Sequence, residues 1–118
     1  MILLFLTTIA YAVDVFEFCS IERQRWNEKR QQFETELVNT YYSYDTIQFI
    51  VYNHSFEINR DVRPIIETKE TDAKICWREH ENSELCWHKK IGLVFWEWNT
   101  RAGATLRDVM GICRINGE

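Results

Sequence analysis

Proline is almost missing from this chain: Pro64 stands alone in 118 residues, and glycine occurs only four times. So little of either excludes a disordered, linker-rich or collagen-like chain. The motifs of the common chemistries are missing as well. There is no Gly-rich phosphate loop, no His-Glu-x-x-His, no Walker lysine and no serine on a nucleophile elbow. Positive charge is not in excess. The net charge of −4 argues against a nucleic-acid binder or a cationic membrane-active peptide. No apolar run reaches the ~20 residues that cross a bilayer, so no membrane anchor is expected.

What the chain does hold begins with its cysteines and tryptophans. Lys74 to Trp98 contains two of the four cysteines and four of the five tryptophans. The pair Cys-Trp occurs at Cys76-Trp77 and again at Cys86-Trp87. A turn at His80-Glu81-Asn82 places Cys76 opposite Cys86, Arg78 opposite Glu84 and Asp72 opposite Lys90. On the other face Trp77 then meets Leu85, and Ile75 meets Trp87. A slip of one residue would turn the tryptophans to the polar side. A three-residue loop asks for a left-handed third residue, and Asn82 tolerates that conformation.

Ile2 to Ala12 is uncharged and mostly apolar, and Ala10-Tyr11-Ala12 has the small residues of a cleavage site. Residues 1–12 are read as a secretory signal peptide, and 13–118 as one secreted domain. Four cysteines in an exported chain imply disulfides. Cys76–Cys86 within the hairpin and Cys19–Cys113 between the chain ends are the favoured pairs. Asn53-His54-Ser55 is a glycosylation sequon. It sits at a turn between two β-rich segments, Thr46–Tyr52 and Ser55–Asn59, where a glycan at Asn53 is sterically reasonable.

Asp14 to about Thr40 reads as a helix. Val15, Cys19, Trp26, Phe33, Leu37 and Tyr41 fall along one stripe at steps of four and seven. Asp14 and Glu17 have capping-box spacing, and the opposite face is dense in mixed charge. Tyr41-Tyr42-Ser43-Tyr44 closes that period. Arg60 to Pro64 reads as a connection or an edge, and Ile65 to Thr68 as a short strand. Ile91 to Trp98 is the most apolar strand. Ile91, Leu93, Phe95 and Glu97 share one face, and Val94, Trp96 and Trp98 the other, so it reads as central. Leu106, Val109, Met110 and Cys113 fit a short helix, with Thr105 and Asp108 as its capping box; a last strand is the competing reading.

The expected class is α+β. One long N-terminal helix packs on a four- to five-stranded antiparallel meander, followed by a short C-terminal helix or strand. That order, with its extracellular disulfides, is similar in arrangement to the cystatins, secreted inhibitors of cysteine proteases. Their Gln-x-Val-x-Gly loop is absent, since Gln48-Phe49-Ile50-Val51-Tyr52 does not supply it, and so is their late Pro-Trp pair. Their two bridges lie in the C-terminal half, whereas Cys19 here is near the start.

Cys76, His80, Cys86 and His88 are all zinc-binding residue types, but their spacing matches no common zinc pattern and an exported chain favours disulfides. His80 and His88 beside Glu79, Glu81 and Glu84 form an acid–base grouping with no nucleophile. No enzyme activity, metal or cofactor is expected. The candidate binding residues are Trp77, Trp87, Trp96 and Trp98, because tryptophan dominates recognition surfaces, with Glu97 as a carboxylate set among apolar neighbours. The expected function is a small secreted protein-binding module, effector- or inhibitor-like, that meets an extracellular protein through these aromatics. The alternative is a carrier of a small apolar ligand in a cavity between helix and sheet, with Glu97 near its lining.

Overall fold

A computed structural model describes residues 14–40 and 45–116. The expected signal peptide, its cleavage site and the Tyr41–Tyr44 cluster lie outside the described residues. The protein is all-β, and no helix occurs among the described residues. Ten strands follow in order: β1 Asp14–Asn27, β2 Gln32–Thr40, β3 Ile47–Val51, β4 Ser55–Ile58, β5 Asp61–Pro64, β6 Glu67–Glu70, β7 Lys74–His80, β8 Ser83–His88, β9 Leu93–Asn99 and β10 Thr105–Ile115. They form one antiparallel sheet in the order β5-β4-β3-β1-β10-β9-β8-β7-β6, with β2 pairing with β1 off this path.

The expected N-terminal helix is therefore replaced by a long hairpin. β1 and β2 pair from Ser20↔Thr40 to Asn27↔Gln32, and the chain reverses through Glu28–Gln31. Trp26 and Phe33 are seven apart, which put them on one helical stripe in the sequence. In the hairpin they face each other across the turn, with ring centroids 5.1 Å apart. The C-terminal segment is also a strand. In β10 the residues Leu106, Asp108 and Met110 are buried in strict alternation. The loss of the N-terminal helix removes the basis of the similarity in arrangement to the cystatins, which needs a helix ahead of the meander.

β1 is the spine of the sheet. Its first half pairs with β3, its second half with β2, and nearly its full length with β10. Two register shifts interrupt the β1–β10 ladder, skipping Cys113 on one strand and Cys19 on the other. A bulge re-aims side chains and changes which parity faces the core. Phe16 and Phe18 are buried before the bulge; Ile21 packs on the core after it. The two bulged cysteines are bonded to each other, and Cys76 is bonded to Cys86. Beside the bulge, the Ser20 hydroxyl fills the space that a Cβ on Gly111 would take.

The central hairpin keeps the register set out above: Ile75↔Trp87, Cys76↔Cys86, Trp77↔Leu85 and Arg78↔Glu84. Its turn differs. Only Glu81 and Asn82 form it, a register shift lies between Arg78 and His80, and Asn82 is not left-handed. The bulge supplies the extra twist that a left-handed Asn82 would have given. Left-handed residues do occur in the β4–β5 turn, where Asn59 and Arg60 have φ of 48° and 72°. Two such residues match the right-handed twist of a two-residue hairpin. Asn53 is exposed at the β3–β4 turn.

The sheet curls into a half-barrel. Its two outermost strands, β5 and β6, are separated by Ile65 and Ile66 alone. The Ile65 N–H donates to the His54 carbonyl at one end of the sheet, and the Ile66 N–H to the Arg78 carbonyl at the other. A two-residue connector can join opposite ends of a sheet only if the sheet bends round on itself. The concave face holds the core: Phe16, Phe18, Phe49, Val51, Phe56, Trp77, Leu85, Val94 and Met110.

Candidate functional site

One end of the concave face stays open. Arg23 of β1, Arg63 of β5, Glu79 of β7, Ser83 of β8, Trp96 and Trp98 of β9, and Asp108 of β10 line a cavity of about 280 Å³ there. A second cavity, of about 320 Å³, adjoins it and shares Trp96 and Asp108; its walls include Ile21, Ile47, Ile58 and Met110. The strand alternation that buries Val94 and Leu85 lower down brings Trp96, Trp98 and Ser83 to this mouth, through the pairs Leu85↔Trp96 and Ser83↔Trp98. β10 does the same for Asp108, two residues before the buried Met110.

The polar groups are tied by hydrogen bonds. Arg23 donates to both carboxylate oxygens of Asp108, at 2.9 and 3.0 Å. Its guanidinium lies 5.2 Å from the Trp98 ring centroid. Arg63 donates to Glu79 at 2.7 Å and to Asp61 at 2.9 Å. Ser83 donates to the other oxygen of Glu79 at 2.8 Å and accepts from the Trp96 indole N–H at 2.9 Å. Hydrogen bonding to Asp108 raises the Arg23 pKa above its ordinary value, and bonds to Asp61 and Glu79 do the same for Arg63.

The Arg63–Glu79 pair also crosses between the two ends of the curled sheet. Glu79 is 6% exposed and Arg63 41%. Removing one partner of a buried pair costs several kcal/mol, less where the pair touches water. Arg63→Ala is therefore expected to destabilise the fold by about 2 kcal/mol, and Arg63→Lys by less. Urea unfolding of both variants measures this, and a change below 0.5 kcal/mol would mean that the pair does not hold the curl.

The five tryptophans are all buried or half-buried. Trp77 is in the core, against Phe16 and Phe49. Trp87 packs edge-on to Phe16, its ring centroid 4.8 Å away, and its indole N–H has no partner among the described residues. Trp96 and Trp98, 5.8 Å apart, are the two that reach the mouth. The structure thus separates the four candidate tryptophans into a core pair and a cavity pair. No contiguous exposed patch of them exists.

Glu97 lies on the convex face, exposed, opposite Glu84 and Arg107. It does not reach the cavity that holds its two neighbours, because adjacent strand residues point to opposite faces. The buried carboxylates at the mouth are Glu79 and Asp108 instead. The alternation Leu106-Asp108-Met110 was the signal for the latter, hidden because Thr105 and Asp108 also fit a helix cap. Arg23 falls in the charge-dense stretch that reads as the outer face of a helix, and only its pairing with β10 turns it to the mouth.

The convex face carries a third cavity, of about 330 Å³, lined by Lys74, Glu84, Cys86, His88, Phe95, Glu97 and Arg107. Arg107 stacks between Phe33 and Phe95, 3.8 and 5.2 Å from their centroids. Burial there pushes its pKa down. His88 is edge-on to Phe95, and burial followed by Lys74 lowers its pKa. Glu84 sits close to Cys76 and Cys86, but the disulfide leaves no thiolate there to bind a metal.

No family model, curated protein or solved structure matches this chain.

Proposed function

We propose that this protein is a secreted carrier of a small amphipathic ligand, held in the open mouth of the half-barrel. The observation that carries this reading is the pair of adjoining cavities that share Trp96 and Asp108. One is walled largely by apolar side chains, the other by polar and aromatic ones. Ligand sites are concave, mostly apolar and set with a few convergent polar groups, and barrel mouths are a common place for them. The two disulfides are compatible with an extracellular protein.

The test is the mass of the protein secreted from a eukaryotic cell, taken native and then denatured. A small-molecule adduct is expected in the native spectrum and lost on denaturation. Ile58→Trp fills the apolar cavity from its half-buried rim and is expected to remove the adduct while the protein still melts cooperatively. An adduct unchanged in Ile58→Trp would place the ligand elsewhere, and no adduct in either protein would count against a carrier.

A protein-binding module is the second reading, and one observation favours it. Among the described residues β2 pairs only with β1, most of its residues are exposed, and Leu37 and Val38 stand 49% and 58% exposed on it. An unpaired edge with apolar side chains is a template for a partner strand. Its surface would be the hairpin arm, not the tryptophans.

A further inference from the structure

We propose that the ligand of the mouth is a small organic cation, an ammonium group carried on an aromatic or alkyl body. This rests on the carrier reading above and adds the chemical class. Three carboxylates, Asp61, Glu79 and Asp108, line the two cavities against two guanidiniums, Arg23 and Arg63, with the exposed His80 side chain beside them. Arg63 is shared between Asp61 and Glu79, while Asp108 has Arg23 to itself. Each guanidinium is already paired with a carboxylate. An anionic ligand would add a fourth negative charge beside Asp61, Glu79 and Asp108. An ammonium brings the charge that the mouth lacks.

The acceptors for it are in place. Each carboxylate has about four lone-pair sites. Asp108 receives two bonds from Arg23, so further acceptor capacity remains on the residue that lines both cavities. Asp61 lies at the rim of the apolar cavity, 56% exposed, with Arg63 as its partner. The ligand's body would meet Ile21, Ile47, Ile58 and Met110. Trp96 and Trp98 add two aromatic walls tilted 58° to each other. Indole faces attract cations, and Trp98 already holds one in Arg23. The volumes lie near the lower limit of the ~300–1,000 Å³ of small-molecule sites, so the molecule is small. The net charge of −4 favours the approach of a cation from a distance.

The experiment compares three probes of one shape on the full secreted protein at pH 7: 2-phenylethylammonium, 2-phenylethanol and 3-phenylpropionate. Binding is read by calorimetry and by tryptophan fluorescence. The ammonium is expected to bind about tenfold more tightly than the alcohol, with the carboxylate weakest. Asp108→Asn breaks the Arg23 pair and risks the fold, so Asp61→Asn is the deciding variant. It is expected to weaken the ammonium roughly fivefold, leave the alcohol unchanged and melt like the parent. An alcohol or carboxylate that binds as tightly as the ammonium would overturn the cation and leave the carrier standing. An equal response of all three probes to Asp61→Asn would overturn the charge argument. Failure of all three to bind at about 10 mM would overturn both readings.

Discussion

Phe49→Ala is expected to lower the unfolding free energy by about 4 kcal/mol, among the largest single-residue effects in this protein. Phe49 is fully buried, and its ring centroid lies 5.5–5.7 Å from those of Phe16, Phe18, Phe56 and Trp77. These neighbours come from β1, β4 and β7. One truncation therefore removes contacts to three strands that span most of the curled sheet. Burial and cavity terms for Phe→Ala come to about 3–5 kcal/mol, and each well-placed aromatic pair adds about 0.5–1.5 kcal/mol. Phe49→Leu keeps much of the volume and is expected to cost less than half as much. Phe33→Ala is the control. Phe33 is only half-buried, on the hairpin arm, and a loss of about 1 kcal/mol is expected there. Urea unfolding with an unchanged slope checks all three. Equal losses at Phe33 and Phe49 would mean that the concave aromatic cluster is not the core.

Removing the Cys19–Cys113 disulfide is expected to cost more than removing Cys76–Cys86. The first closes a separation of 94 residues and the second one of 10. In the chain-entropy model these loops correspond to about 4.7 and about 2.8 kcal/mol. The structure points the same way. Cys76 and Cys86 lie opposite each other in a continuous hairpin ladder that also holds Arg78↔Glu84 and Ile75↔Trp87. Cys19 and Cys113 sit at bulges, where the β1–β10 ladder is interrupted and no regular pairing replaces the bond. The Cys19→Ser, Cys113→Ser double variant should therefore melt well below the Cys76→Ser, Cys86→Ser double variant. Thermal unfolding of both, beside the parent, decides the order. The reverse order would show that native-state packing around Cys76, buried on the sheet, outweighs the loop entropy.

Much of the centre of this fold was legible in the residues. The two Cys-Trp pairs, the opposed Arg78 and Glu84 and the alternating apolar residues agree on one register, and the structure has that register. The β3–β4 hairpin was legible for the same reason, with β-branched and aromatic residues on either side of Asn53-His54. These are local pairings, closed by two or three residues, and each side chain finds its partner within about ten positions. The parity of Val94, Trp96 and Trp98 also followed from the two-residue period of a strand. Of the mouth, this parity brought Trp96 and Trp98 to one face, while Asp108, Arg23 and Arg63 were out of reach.

The first strand was not legible. Glu22 to Glu34 is rich in Glu, Arg, Lys and Gln, which are good helix formers. The bulge at Cys19 then shifts the buried parity between Phe18 and Ile21, so no single alternation runs through β1. A stripe of period 3.6 fits the remaining apolar residues by coincidence. What overrides these preferences is the pairing of β1 with β10, some ninety residues away, and tertiary packing routinely defeats a propensity of a few tenths of a kcal/mol per residue. The sequence by itself determined the β3–β4 and β7–β8 hairpins, with Cys76 opposite Cys86, and the faces of β9, because those depend on spacing along the chain. The tertiary structure decided that β1 and β10 are strands, that the sheet curls, and that Arg23, Arg63, Glu79 and Asp108 meet at one mouth. Those outcomes depend on contacts between distant segments, which no local period encodes.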